Sequence, residues 1–204
     1  MTIALVDYGA GNLTSVIKAL TRCGTEVVVA ASPDRLDGVR AIVVPGVGHF
    51  SRTASLDDPW RRAIRARISA GTPVLGICLG LHWLFDGSEE APGVEGLAVF
   101  RGRCGRLEGQ IKVPHVGWNS LEPTGRPSLL LEGIDAGAFA YFSHSYAVQA
   151  AGDAVATTTH GQPFVSAVER DHVFGTQFHP EKSGATGLRV LANFLASCRE
   201  SRRC

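Results

Sequence analysis

The run Gly76-Ile77-Cys78-Leu79-Gly80 follows a short apolar stretch and precedes a helix-like segment. A Gly-x-Cys-x-Gly run between a strand and a helix is typical of a nucleophile elbow, whose sharp turn strains the nucleophile and whose glycines let neighbouring chain approach. The pattern predicts Cys78 at the carboxyl end of a strand, where the N–H of Leu79 stabilises an oxyanion and the helix dipole favours thiolate. A free cysteine among apolar residues is also a common core residue, so the elbow alone leaves both interpretations open.

A second segment, Gly175-Thr176-Gln177-Phe178-His179-Pro180-Glu181-Lys182, supplies a base and an acid. Pro180 disfavours helix for the residue before it, and in extended chain residues i and i+2 project to the same face. Glu181 is therefore predicted to hold one tautomer of His179 while the other ring nitrogen faces a thiol. A plain polar turn is the alternative. The two segments lie about a hundred residues apart, as is usual for triads, whose members meet in space.

The first half of the chain alternates strand-like and helix-like segments, which favours a parallel sheet covered by helices on both faces, with sites at the carboxyl ends of its strands. Asn12 and Asp58 are predicted to open helices that stop at Gly24 and Gly71. The predicted strands are residues 3–6, 27–29, 41–44 and 73–77.

From about Gly96 onward, short β-like segments are broken by Gly and Pro, and they predict antiparallel strands added to the parallel core. These segments are residues 97–100, 111–113, 139–148, 155–159, 164–168 and 173–178. A last helix is predicted over residues 187–198. We expect one domain over residues 1–198 and a basic tail over residues 199–204.

The composition excludes several classes of function. Lys plus Arg number 20 against 19 Asp plus Glu, so no global charge favours nucleic acid or a membrane surface. The 5 cysteines form no Cys-x-x-Cys pair, and their odd number argues against a disulfide framework. The histidines lack metal-ligand spacing, so we predict neither a metal nor another cofactor. No basic leader and no apolar run long enough to span a membrane is seen, so we expect a cytosolic protein.

Gly-Ile-Cys-Leu-Gly together with Gln-Phe-His-Pro-Glu-Lys resembles the class I (triad) glutamine amidotransferases, in which Cys, His and Glu hydrolyse glutamine to glutamate and ammonia. Four further segments resemble the glutaminase subunits of imidazole glycerol phosphate synthase within that family. They are residues 6–13, 45–50, 112–119 and 141–146. The resemblance implies a flavodoxin-like α/β core with Cys78, His179 and Glu181 as the triad. It also implies a partner, a cyclase subunit of the (β/α)₈ barrel type in a 1:1 heterodimer, which receives the ammonia.

The same resemblance assigns the glutamine pocket. It places Val47 beside Leu79 as the second oxyanion donor, although the glycine-rich loop around Val47 could equally be a tight turn. Glu90 is assigned to the substrate ammonium, although an acidic pair is usually a solvated face. The remaining pocket residues by resemblance are Gly48, Tyr141, His144 and Ser145.

His82 departs from the family pattern, which usually has Gln at this point. The resemblance makes position 82 a substrate-binding position, and the amide that would bond glutamine is missing. A histidine can still donate one hydrogen bond, with a different shape, charge and reach. His82 follows Cys78 by four residues, so a direct effect on thiol ionisation is an alternative.

Three residues match family positions that face the cyclase near the route taken by ammonia: Asn12, Trp118 and Lys182. Their plain alternatives are a helix cap, a core aromatic and a surface charge. Because hydrolysis of glutamine alone would be wasteful, the chemistry itself suggests an acceptor protein.

Three other functions compete with the glutaminase subunit that the resemblance implies. One is a paralogue that feeds a different synthase with the same triad. A second is a glutaminase-impaired subunit that only binds a synthase, which is motivated by His82 but opposed by the intact triad. A cysteine peptidase is disfavoured because no extended substrate groove can be argued from the sequence.

Overall fold

A nine-stranded mixed sheet forms the centre of the computed structural model, which describes residues 1–200. The strands are β1 (Thr2–Val6), β2 (Glu26–Ala30), β3 (Ala41–Val44), β4 (Val74–Ile77), β5 (Gly87–Ser88), β6 (Arg103–Arg106), β7 (His115–Pro123), β8 (Ala138–His144), β9 (Tyr146–Ala147), β10 (Ala154–His160), β11 (Gln162–Arg170) and β12 (Val173–Thr176). The helices are α1 (Leu13–Arg22), α2 (Asp58–Ser69), α3 (Leu79–Leu84) and α4 (Gly184–Glu200). Three 3₁₀ helices cover Pro33–Leu36, Phe50–Ser55 and Pro180–Lys182.

The strand order is β2-β1-β3-β4-β12-β11-β10-β7-β8. Strands β2, β1, β3, β4 and β12 pair in parallel, and the others extend the sheet in antiparallel fashion. A separate small sheet joins β5, β6 and β9. The predicted fold class is therefore confirmed, and β12 returns late in the chain to lie parallel to β4.

Helix ends follow the local chemistry that the sequence indicated. The side chain of Asn12 accepts a hydrogen bond from Ser15 N and caps α1, which ends just before Gly24 at φ +81°. Helix α2 begins at Asp58, as predicted, and is capped by Asp57, whose side chain accepts a hydrogen bond from Trp60 N. Such caps satisfy backbone N–H groups that a helix leaves unpaired.

Two apolar clusters pack the sheet against helices on its opposite faces. One contains Leu5, Leu75 and Phe174 with α1 and α4, and the other contains Val44 and Leu84 with α2 and α3. Because the parallel strands are covered on both faces, their side chains are apolar almost without interruption, as parallel sheets require.

The second half departs from the predicted strands in several places. Residues 97–100 form no strand, because their N–H groups bond the carbonyls of Trp83, Leu84 and Phe85 at the end of α3. Residues 111–113 are irregular, and the strand starts after Pro114, which has no N–H to donate. The segment predicted over residues 139–148 is divided at Ser145 into β8 and β9, and the long strand β7 was not predicted.

The last strand and the last helix also have bounds that differ from the predicted ones. Strand β12 ends at Thr176, before the predicted Phe178, and α4 starts at Gly184 and not at residue 187. Residues 199 and 200 continue α4, so this helix extends beyond its predicted end at residue 198. Residues 201–204 of the predicted tail lie outside the described residues. Over residues 1–200, none of the helices is both long and apolar enough to cross a membrane.

Candidate active site

Cys78 occupies the sharp turn between β4 and α3 with φ 51° and ψ −103°. A positive φ is costly for a residue with a side chain, so the surrounding structure must hold it. The N–H of Cys78 donates to Thr176 O at 2.7 Å, and the carbonyl of Cys78 accepts from His82 N at 3.0 Å. The residue is only 5% exposed. The predicted nucleophile elbow is therefore present as a strained, braced turn at the carboxyl end of a strand.

Two glycines allow the elbow to close. A Cβ at Gly80 would lie 1.9 Å from Val44 O, and one at Gly76 would lie 2.8 Å from Gly80 C. Neither neighbour can withdraw, because both are backbone atoms. The flanking glycines thus permit the close approach that the sequence pattern predicted.

His179 and Glu181 follow β12, which pairs in parallel with β4, so the carboxyl ends of both strands meet at the same sheet edge. His179 Nδ1 donates to Glu181 Oε1 at 2.8 Å, and both side chains are 2% exposed. Burial disfavours the imidazolium, but the neighbouring Cys78 and the Glu181 carboxylate outweigh it and raise the pKa of His179 to about 10. Although His179 Nε2 makes no well-aligned hydrogen bond among the described residues, the ring lies close enough to couple electrostatically to the thiol.

A small cavity of about 40 Å³ opens beside the thiol. Its walls include most of the predicted pocket, and sequence reasoning missed Ser143 and Tyr146 although both lie in the quoted segment 141–146. The lining residues are Gly48, Cys78, Leu79, His82, Glu90, Ser143, His144, Ser145 and Tyr146. Glu90 Oε2 accepts from Phe50 N at 2.7 Å, which fixes this carboxylate at the rim.

Tyr141 does not line this cavity. Its ring packs edge-on against Trp118 with centroids 6.1 Å apart, and Lys182 Nζ lies 5.8 Å from its centre. The reason is strand alternation: Tyr141 pairs with Trp118 across β8 and β7 and shares its outward face, whereas His144 points inward. We therefore place Tyr141 with the surface residues and not with the substrate-binding set.

The oxyanion hole is not assembled in this conformation. Leu79 N–H, the predicted first donor, points to Gly46 O at 3.4 Å. The Gly46–Val47 peptide is trans, so the N–H of Val47 points opposite to that carbonyl and away from Leu79. Turning this one peptide over would release Leu79 N–H and present Val47 N–H beside it. The donor role of Val47 stays a prediction for that second conformation.

His82 is buried, and its ring is hydrogen-bonded to another side chain of the protein. Its Nε2–H donates to Gln177 Oε1 at 2.7 Å, and Gln177 Nε2 in turn donates to Cys78 Sγ at 3.7 Å. Burial lowers the pKa of His82 to about 4 against the opposing effect of Gln177. The ring is therefore neutral at pH 7, and its only remaining polar atom, the acceptor Nδ1, is buried without a partner among the described residues. The one N–H that His82 was expected to offer to glutamine is therefore already used in the hydrogen bond to Gln177. The sequence did not predict that Gln177 lies beside the thiol.

The predicted interface residues lie on the surface outside the cavity. Trp118 is 55% exposed, and on the same strand Val116 is 56% exposed, so Trp118 is not the core aromatic of the plain alternative. With Tyr141 and Phe139 on β8, these residues form what we call the outer β7–β8 face. Lys182 adjoins this face through Tyr141. Asn12 is exposed and caps α1, as its plain alternative requires. Within residues 1–200, no group of His, Cys, Asp and Glu is arranged to hold a metal ion.

Comparison with known proteins identifies the family of this chain. The sequence description of the family "Glutamine amidotransferase class-I" matches residues 4–198. The chain belongs to this family. The protein named imidazole glycerol phosphate synthase subunit HisH in Natronomonas pharaonis is 47% identical over 97% of this chain and 95% of its own length. A protein of the same name in Thermococcus kodakarensis is 46% identical over 94% of this chain and 98% of its own length.

Solved structures support the fold of this family member. A crystal structure titled glutamine amidotransferase superposes with a TM-score of 0.75 at 21% identity, covering 96% of this chain and 98% of that one. The structure of PurLQS from Thermotoga maritima superposes with a TM-score of 0.75 at 19% identity, covering 96% and 97%. At these identities the likeness concerns the fold alone.

Proposed function

We propose that this chain is the glutaminase subunit of an imidazole glycerol phosphate synthase, which hydrolyses L-glutamine and passes ammonia to a cyclase subunit. The observation that carries the proposal is the triad at the sheet edge, with Cys78 on a strained elbow and the His179–Glu181 pair on the adjacent parallel strand. Identity of 47% to a protein named as that synthase's HisH subunit supports the choice of acceptor. The cysteines within residues 1–200 form no disulfide, which suits a reducing cytoplasm.

The proposed chemistry uses Cys78 as the nucleophile and His179 as the acid and then the base. The thiolate of Cys78 attacks the side-chain carboxamide carbon, and the carbonyl oxygen becomes an oxyanion. The imidazolium of His179 donates its proton to the departing nitrogen, so the C–N bond breaks and ammonia leaves. Neutral His179 then takes a proton from water, which attacks the glutamyl thioester. The thiolate leaves, and glutamate is released.

A partner is proposed on the outer β7–β8 face. Large apolar side chains exposed by more than half, beside the cationic Lys182, mark a surface suited to another protein. We propose that a (β/α)₈ barrel cyclase covers this face in a 1:1 heterodimer. Asn12, Trp118 and Lys182 remain the proposed contacts.

The test is a glutaminase assay of the chain alone, with the cyclase, and with the cyclase plus its nucleotide substrate. We expect weak activity in the free chain, because Leu79 N–H is held by Gly46 O. Loss of one oxyanion donor costs about 10² to 10³ in turnover, so the full complex should gain at least about 10²-fold. Maximal activity in the free chain would contradict the unassembled oxyanion hole. No hydrolysis under any condition would refute the glutaminase function and favour a subunit that only binds.

Position 82 offers a separate prediction. Replacing His82 with glutamine restores an amide, which can keep the bond to Gln177 and still offer a further polar group to the substrate. We expect the KM for glutamine to fall about fivefold, the value of one hydrogen bond, with little change in kcat. Steady-state glutamine kinetics in the complex measure both. An unchanged KM would make His82 a packing residue, and a lower kcat would assign it to the thiol through Gln177.

A further inference from the structure

Two buried histidines form a hydrogen-bonded pair on the inner face of β7 and β8, directly behind the cavity. His115 and His144 are cross-strand partners, and their Nδ1 and Nε2 atoms lie 3.0 Å apart. His144 also lines the cavity, and its Nδ1 lies 3.0 Å from Tyr146 O. On the far side, Asn119 Nδ2 lies 3.2 Å from His115 Nε2 and 2.9 Å from Thr159 O. The catalytic steps above use neither His115 nor Asn119.

Only one arrangement of protons satisfies this chain of contacts. A carbonyl cannot donate, so His144 must carry its proton on Nδ1 and donate it to Tyr146 O. Nε2 of neutral His144 is then an acceptor, and His115 must donate to it from Nδ1. His115 Nε2 consequently accepts from the amide of Asn119, whose orientation is fixed because its Oδ1 accepts from Ser120 N at 2.8 Å.

Packing holds both rings in this orientation. His115 is stacked between Phe142 and His160 with centroid distances of 4.9 and 4.2 Å. Phe164 meets His144 edge-on at 4.9 Å. Burial lowers the pKa of His115 to about 4 and that of His144 to about 3. Both rings are therefore neutral at pH 7, which the proton arrangement requires.

The network changes the role of His144. The family resemblance predicts it as a substrate-binding side chain, but both its ring nitrogens are engaged within the protein. The ring therefore has no remaining N–H for glutamine. What it does hold is the carbonyl of Tyr146, and through it the turn over residues 143–146 that forms one wall of the cavity.

We propose that His115 and Asn119 are positioning residues that lock His144 in its Nδ1–H tautomer and thereby hold the 143–146 wall of the glutamine pocket. The inference rests on the proposed glutaminase function for its effect on the substrate, and on hydrogen-bond geometry alone for the tautomer. Loss of the donor on His115 frees Nε2 of His144 to take the proton. His144 Nδ1 would then be an acceptor facing Tyr146 O, and the wall would move.

A pair of variants at position 115 tests this. His115→Leu removes the donor, whereas His115→Asn keeps an N–H near the place of Nδ1. In the complex with the cyclase, we expect His115→Leu to raise the KM for glutamine about tenfold, the effect of losing a buried hydrogen bond, with kcat within about twofold. His115→Asn should restore most of the affinity. Equal effects of the two variants would overturn the proposal.

The tautomer is measured directly by ¹H–¹⁵N correlation spectra of side-chain-labelled histidine. We expect His144 as Nδ1–H in the parent chain and in His115→Asn, and a shift toward Nε2–H in His115→Leu. A parent His144 in the Nε2–H form would refute the inference, whether or not the chain hydrolyses glutamine. Failure of the proposed function would instead appear as absent turnover in the parent complex.

A double-variant cycle tests whether His115 acts through His144. Asparagine at position 144 can donate to Tyr146 O without help from His115, so His115→Leu should have no further effect on KM in the His144→Asn background. Asn119→Leu leaves His115 in place, removes the second donor of the network and therefore serves if His115→Leu does not fold. It should raise KM for glutamine by less than the tenfold expected of His115→Leu, and an unchanged KM and His144 tautomer in Asn119→Leu would contradict the proposal. Additive effects of His115→Leu and His144→Asn would contradict a role through His144.

Discussion

Replacing Cys78 with alanine is expected to abolish glutamine-dependent synthesis by the proposed complex, while synthesis driven by added ammonium salts continues near its original rate. Loss of a nucleophile from a triad costs on the order of 10⁶ in turnover. In the proposed complex, ammonia is made on this chain and used on the cyclase, so only the first step would be lost. Product formation is measured with glutamine and with ammonium salts in the same preparation.

Alanine is the appropriate replacement because it keeps a Cβ and so leaves the backbone cost of φ 51° at position 78 unchanged. Cys23→Ala is the matched control, since Cys23 is a free, half-buried cysteine at the end of α1 and outside the cavity. The control should retain both activities. Loss of both activities in Cys78→Ala, with the complex intact, would contradict this division of labour between subunits.

The parts of the site that the sequence predicted are those that local pattern determines. A nucleophile elbow needs glycine where backbone crosses backbone, and the steric contacts of Gly76 and Gly80 explain why those residues were informative. The His179–Glu181 contact was predicted from extended geometry, whereas Glu181 lies in the 3₁₀ helix Pro180–Lys182 that begins after His179, so the contact forms but not for the predicted reason. Both predictions rest on short runs of sequence, although the contact that requires Gly80 is with Val44 O on the neighbouring strand β3.

The features that the sequence did not predict depend on pairing with strands far along the chain, on packing against α3, or on the orientation of a single peptide group. Strand β7 contains the polar and small residues His115, Gly117 and Asn119, so it has no apolar run, and its inward histidine is explained only by pairing with β8. Residues 97–100 resemble a strand because they are apolar, but they are apolar because they pack beneath α3. The orientation of the Gly46–Val47 peptide has no sequence signal, since glycine permits both orientations.

The same pairing explains how a partner surface and a substrate pocket lie on one element. Alternation along β7 places Val116 and Trp118 outward and His115 and Asn119 inward. A cyclase bound to the outer β7–β8 face would therefore press on the strand that holds the pocket wall. The 143–146 wall is expected to affect the KM for glutamine, and the Gly46–Val47 peptide is expected to affect kcat through the oxyanion donors. Because these are separate elements, an effect of the partner on each can be measured separately.

The second large effect is expected when His179, the proposed acid and base, is replaced. His179→Ala should cost nearly as much as Cys78→Ala, on the order of 10⁶ in turnover, because both the thiolate and the leaving-group proton depend on the imidazole. Glu181→Gln should cost roughly ten- to a hundredfold less, because Glu181 mainly orients His179 through the 2.8 Å hydrogen bond. Single-turnover glutamine hydrolysis in the complex measures all three. His172→Ala, a half-buried histidine outside the cavity, is the control.

The pH dependence gives this prediction a readout that is independent of turnover. Folding raises the pKa of His179 from 6.5 to about 10, so the stability it contributes is fully present below pH 6.5 and is lost as pH rises through about 10. Glu181→Gln and Cys78→Ala each remove a negative group that raises this pKa, so both should lower the His179 pKa in NMR titrations and flatten the loss of stability over that range. Wild-type turnover in His179→Ala, or a His179 pKa that is unchanged in both variants, would remove the triad assignment.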